Sequence, residues 1–240
     1  MIKNSAVQVI LSFLRGRFLF LLISILLLLI ISPLLDDFIG LKFLINIFMT
    51  IILISGIYAV SQKKIYMLIA AALAIPMLAS LWSAYFIKNP YFYLTGQISG
   101  VLFMAFIVII ILFHIIRVEN VTADVIFGAI VVYLLMALMW SFIYSVVEYL
   151  HPGSFIIPES PIKSSRFLFI YFSFVTLATL GYGDITPLTA PACSLSILEA
   201  IIGQIYLVVV VAWLVGMFVS QSLVQNKQQY NVINHKRRKV

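Results

Sequence analysis

The sequence predicts an all-α membrane protein: six transmembrane helices, with a short re-entrant helix and loop between helices five and six. Three observations predict it. Hydrophobic residues make up 64% of the 240 and charged residues 10%, and mean hydropathy is +1.17. A soluble chain of this length could not keep so much apolar surface from water. Six apolar runs, 18–35, 41–60, 65–86, 92–116, 125–147 and 192–219, are each near or above the roughly 20 residues a helix needs to cross a bilayer. A short polar and glycine-bearing stretch interrupts the chain between the last two.

The first run is long for a secretory leader and has no small-residue cleavage site before Asp36, so a retained helix is expected. Lys3, Arg15, Arg17, Lys63, Lys64, Arg117 and the tail cations fall on one side of the six-span arrangement. Lys42, Lys88, Lys163 and Arg166 fall on the other. The positive-inside rule then puts both termini in the cytoplasm. Runs one to four form a module, residues 1–120. Run 92–116 has no lysine or arginine, with Arg117 only at its end, so steep voltage sensing is not expected. Asn46 and Gln97 read as helix-contact hydrogen bonders and His114 as an interfacial residue. The tail, 223–240, reads as a solvated stop-transfer end in contact with anionic lipid rather than a nucleic-acid site. Cys193 stands alone in the sequence, which excludes an intrachain disulfide.

Residues 121–222 form the second unit. Segment 148–163 is polar and carries Pro152, Pro158 and Pro161, so no helix is expected there. Ser164 or Ser165 is placed to cap a short helix running through Ala178. Phe167, Phe169, Tyr171, Phe172 and Phe174 make that helix apolar, yet it is too short to cross. It enters from outside and turns back at Thr179-Leu-Gly-Tyr-Gly-Asp184, where irregular backbone needs protein or a watery path beside it. Gly181 and Gly183 suit alternating right- and left-handed angles, since glycine takes the latter without a Cβ penalty. Alternation turns successive carbonyl oxygens the same way, so that they replace the water around a bare cation. Thr179 adds a hydroxyl oxygen at the inner end, and Tyr182 braces the loop.

The stretch Thr176-Leu-Ala-Thr-Leu-Gly-Tyr-Gly-Asp-Ile-Thr-Pro187 resembles the pore signature of tetrameric potassium channels. Residues 126–135 and 198–206 resemble the flanking helices of bacterial six-span, one-pore members of that superfamily. The likeness covers residues 121–220. It implies a homotetramer, because four loops must surround one axis. It implies K+ ligands from the carbonyls of Thr179, Leu180, Gly181 and Tyr182 and the Thr179 hydroxyl, with Gly183 completing the filter. It further implies passive K+ conduction across a bacterial inner membrane. No catalysis is expected, and no cofactor beyond the permeant ion.

Some positions depart from the pattern. Leu180 stands where valine is commoner, but only its carbonyl is a ligand. Tyr171 and Phe172 replace tryptophans that brace the filter from behind; Tyr171 can reach Asp184, whereas Phe172 has no donor. Val175 stands where some bacterial channels carry a glutamate. Filter support is therefore expected from Tyr171, Thr176, Asp184 and Glu199. On the last run Gly203 matches a hinge glycine, with close helix packing the equal alternative. Gln204, Leu207, Val211 and Val215 recur at helical spacing and are expected to line the cavity.

Glu199 is the only carboxylate inside an apolar run. It precedes Gln204 by five residues, about 140° around a helix, and so points away from the cavity. Its candidate partners are Thr176 or Ser173 on the short helix and Tyr144 or Ser141 on run five. The neutral form, able to donate a hydrogen bond, is the expected one. Two rival readings are weaker. Gly181-Tyr-Gly-Asp184 fits the pattern of intramembrane aspartyl proteases, but no run supplies a second central aspartate. A potassium transporter subunit would repeat the pore unit within one chain.

Overall fold

The computed structural model describes residues 16–34, 41–83, 90–118, 120–157 and 165–223. The sequence-based readings of residues 1–15, of Lys88, Pro158, Pro161, Lys163 and Ser164, and of the tail beyond residue 223 lie outside them. The described chain is mostly helical: α1 Arg17–Leu34, α2 Leu41–Ala59, α3 Lys64–Ser83, α4 Pro90–Arg117, α5 Ala123–Leu150, α6 Ser165–Leu177 and α7 Ala190–Tyr206. A π-helix over Leu207–Val211 continues α7, and the helix then resumes to Leu223. Four helices are long and apolar enough to cross a membrane: Lys64–Ser83, Tyr91–Arg117, Ala123–Leu150 and Ala190–Leu223. Arg17–Ile31, Phe43–Ala59 and Arg166–Leu177 are shorter apolar helices.

α5 is the spine. Thr122 caps it, its side chain accepting from the Val125 N–H, and Asp124 sits in the first turn near the positive end of the helix dipole. The Asp124 carboxylate also accepts from the Phe18 N–H at 3.3 Å, joining the start of α1 to the start of α5. α4 packs against both α3 and α5, and α1 against both α2 and α5. The main core, including Leu21, Ile25, Met49, Phe103, Ile107 and Val132, therefore runs without a break across residue 120.

The helix α5 continues to Leu150, into the segment expected to be irregular. Glu148 explains how it stops. Its carboxylate accepts from the N–H groups of Gly153 (2.9 Å) and Phe155 (3.2 Å), folding the chain back over the helix end. Gly153 takes φ +84° in this turn. Phe155–Ile156 (β1) then pairs antiparallel with Thr186–Pro187 (β2). This small ladder ties the end of α5 to the chain just beyond the glycine loop. α7 starts after Thr189 with a proline in its first turn, where a missing N–H costs nothing.

Candidate functional site

α6 ends in a descending set of backbone bonds. The Ala178 N–H donates to Phe174 O (3.0 Å), Thr179 to Thr176 O (2.9 Å), and Leu180 to Val175 O (2.9 Å). Beyond this the chain alternates. Thr179, Gly181 and Gly183 have φ of +57°, +57° and +77°, with Leu180 and Tyr182 between them outside that region. A Cβ added at Gly181 or Gly183 would meet nothing within 4 Å. Backbone conformation, not crowding, is what requires glycine there. A β-branched residue at positive φ is a strained outlier, and Thr179 is one. Its Oγ1 accepts from Gln204 Nε2 at 3.5 Å, a long contact.

The far end of the loop is fastened by Asp184. Tyr171 O–H donates to Asp184 Oδ2 at 2.7 Å, and the Ile185 N–H to Oδ1 at 3.0 Å. The Tyr171 bond holds the Asp184 carboxyl below the usual carboxylate range. Phe172, which lacks a donor, packs instead. Its ring lies 5.0 Å from that of Tyr144 and 5.4 Å from that of Phe155, both near edge-to-face. With Trp140, Phe169 and Ile185 these rings make a second core behind the loop. Thr176 is half-buried and engages the loop through its carbonyl.

Glu199 is fully buried where α5, α6 and α7 meet. Tyr144 O–H donates to its Oε2 at 2.5 Å, and Ser173 Oγ touches its Oε1. Ser173 Oγ also lies 2.6 Å from the Ala137 carbonyl. A hydroxyl has one proton and a carbonyl can only accept. Both Ser173 contacts are hydrogen bonds only when the Glu199 carboxyl supplies the second proton. The consistent chain is Tyr144 O–H to Glu199, Glu199 O–H to Ser173, and Ser173 O–H to Ala137. Of the other two candidate partners, Ser141 donates to Leu138 O (2.6 Å), and Thr176 is joined to the loop by its carbonyl.

Gly203 is buried against the end of α6. A Cβ there would come 2.8 Å from both the carbonyl oxygen and the Cδ1 of Leu177. Tyr133 O–H donates to that same carbonyl at 3.1 Å, and Tyr206 O–H donates to Ala129 O at 2.6 Å. Close packing is thus a sufficient reason for glycine at 203. Gln204 is exposed on one side of α7. Leu207, Val211 and Val215 line an apolar groove of about 400 Å³ against α5, together with Ile126, Ala129 and Tyr133. The π-helix interrupts the regular repeat that aligned them with Gln204.

One connection is absent from the sequence reading. Arg166, counted there only as an outer charge, donates from Nη1 to Asn46 Oδ1 at 2.8 Å. Asn46 Nδ2 in turn donates to Leu81 O at 2.8 Å. The first turn of α6 is thereby joined to α2 and α3.

The profile of a family described as "Ion channel" matches residues 100–220, half of the chain. No curated protein and no solved structure gives a match. The matched region contains α5, α6, the alternating loop, α7 and most of α4. This protein is a membrane protein that belongs to the ion channel family.

Proposed function

We infer that four copies of this chain form a potassium-selective channel that passes K+ down its electrochemical gradient across a bacterial inner membrane. In this reading six helices span the bilayer with both termini cytoplasmic, and α6 is the re-entrant pore helix. The loop 179–183 is the filter, with K+ held by the carbonyls of Thr179, Leu180, Gly181 and Tyr182 and by the Thr179 hydroxyl. The observation that carries the reading is the positive φ at every second residue, 179, 181 and 183, just after a short apolar helix. That alternation is what aims successive carbonyls to one side.

Exposure within one chain supports the fourfold assembly. Leu180 and Tyr182 are 59% and 67% exposed, in a loop whose irregular backbone cannot face lipid. Only 17% of the most apolar window of Ala190–Leu223 is buried in the single chain, against 61% for α5. Three further copies around an axis beside the loop would cover both. The aspartyl protease reading gains nothing here, since Asp184 is held by Tyr171 and Asp124 by the start of α1. The mass of the purified complex in mild detergent tests the assembly. Four chains are expected, and a monomer or dimer that still conducts would contradict the fourfold axis.

A further inference from the structure

Far from the filter loop, α1, α2, α3 and α4 enclose a cavity of about 350 Å³. Phe18 places it at the Asp124 end of α5. The β1–β2 ladder marks the other end, roughly 40 Å away along a 28-residue helix. By charge asymmetry this is the cytoplasmic end. Its lining includes Phe18 from α1, Val60 after α2, Lys63 before α3, Tyr66 from α3, and His114 and Arg117 from α4. The interior is aromatic and aliphatic, the rim is basic, and among the described residues no carboxylate lines it.

The two rim cations are already oriented. Lys63 Nζ stands 5.3 Å from the Tyr66 ring centroid, and the Arg117 guanidinium 5.9 Å from that of Phe113, which also lines the cavity. His114 lies against Phe18, their rings 5.8 Å apart. A cation over a ring face keeps N–H donors for an anion. We propose that this cavity binds an anionic phospholipid of the cytoplasmic leaflet, its phosphate at Lys63 and Arg117 and an acyl chain against Phe18 and Val60.

Charge and polarity choose this occupant. A free phosphate would meet the rim and leave the apolar interior wet. A choline lipid would bring a fixed cation toward the cations Lys63 and Arg117. Anionic lipid supplies both a negative headgroup and a chain, and it concentrates at the leaflet this face meets. The site belongs to the four-helix part and goes beyond the conduction reading, so its test reads no current.

Native mass spectrometry of the purified protein, titrated with phosphatidylglycerol or phosphatidylcholine of identical chains, reads the binding directly. Phosphatidylglycerol should bind more tightly. Lys63→Gln with Arg117→Gln should weaken it about fivefold per cation, roughly twenty-fivefold together. The charge-keeping pair Lys63→Arg with Arg117→Lys should hold wild-type affinity. Equal binding of the two lipids, or a Lys63→Gln with Arg117→Gln variant that binds phosphatidylglycerol like the wild type, would overturn the proposal. So would glycerol phosphate without chains competing as well as the lipid, since the cavity would then be a free-anion site.

Discussion

Glu199 is where the residue scale matters most, because three helices share one proton-balanced chain of hydrogen bonds there. Its isolation in an apolar run and its offset from Gln204 were legible in the sequence. Which hydroxyls it meets was not, because Ser173 and Thr176 lie one helical turn apart, as do Ser141 and Tyr144. The neutral acid has a close mimic. Glu199→Gln keeps a donor for Ser173 and an acceptor for Tyr144, so assembly and most current should persist. Glu199→Val leaves the buried Tyr144 hydroxyl without its acceptor, at about 1–3 kcal/mol, and Ser173 with only its bond to Ala137. Single-channel records of that variant should show shortened openings, and parent-like openings would reduce Glu199 to packing. The backbone of Thr179 was illegible for the opposite reason. Nothing in a threonine signals positive φ, and only the loop's alternation imposes it.

At the scale of elements, the end of α6 is fixed from two sides at one carbonyl. Tyr133 donates to Leu177 O, and α7 approaches it so closely that residue 203 has no room for a Cβ. Gly203→Ala must push α7 away or break the Tyr133 bond, at a cost typical of overpacking, about 1–3 kcal/mol. The complex should melt at lower temperature even with the channel closed. An unchanged melting temperature with altered opening would favour a pure hinge. The short helix and its loop were readable because glycine, threonine and aromatic residues each carry local meaning. The π-helix was not, because Leu207–Val211 is uniformly aliphatic and offers no periodic contrast. The two-residue ladder and the Glu148 turn escaped for want of any strand-length pattern.

On the scale of the whole molecule, α1 and α4 clamp α5, and the bond from Arg166 to Asn46 carries the four-helix part to the first turn of α6. These contacts connect residues far apart in sequence and leave no local signature. α4 contributes His114 and Arg117 only in its last turn, so little charge can cross the membrane field. Open probability should therefore change little over about 100 mV. A steep conductance–voltage curve with gating current would contradict this. The central claim is that the alternating loop selects K+. Its most direct test is the reversal potential of the reconstituted protein with potassium inside and sodium outside, measured for the wild type and for Gly183→Ala. A Cβ at that positive φ costs roughly 1 kcal/mol or more in every copy of the chain. The wild type should reverse near the potassium equilibrium potential and be blocked by barium, and Gly183→Ala should assemble yet lose the preference or the current. A wild type indifferent to potassium and sodium, or a Gly183→Ala variant as selective as the parent, would contradict the account.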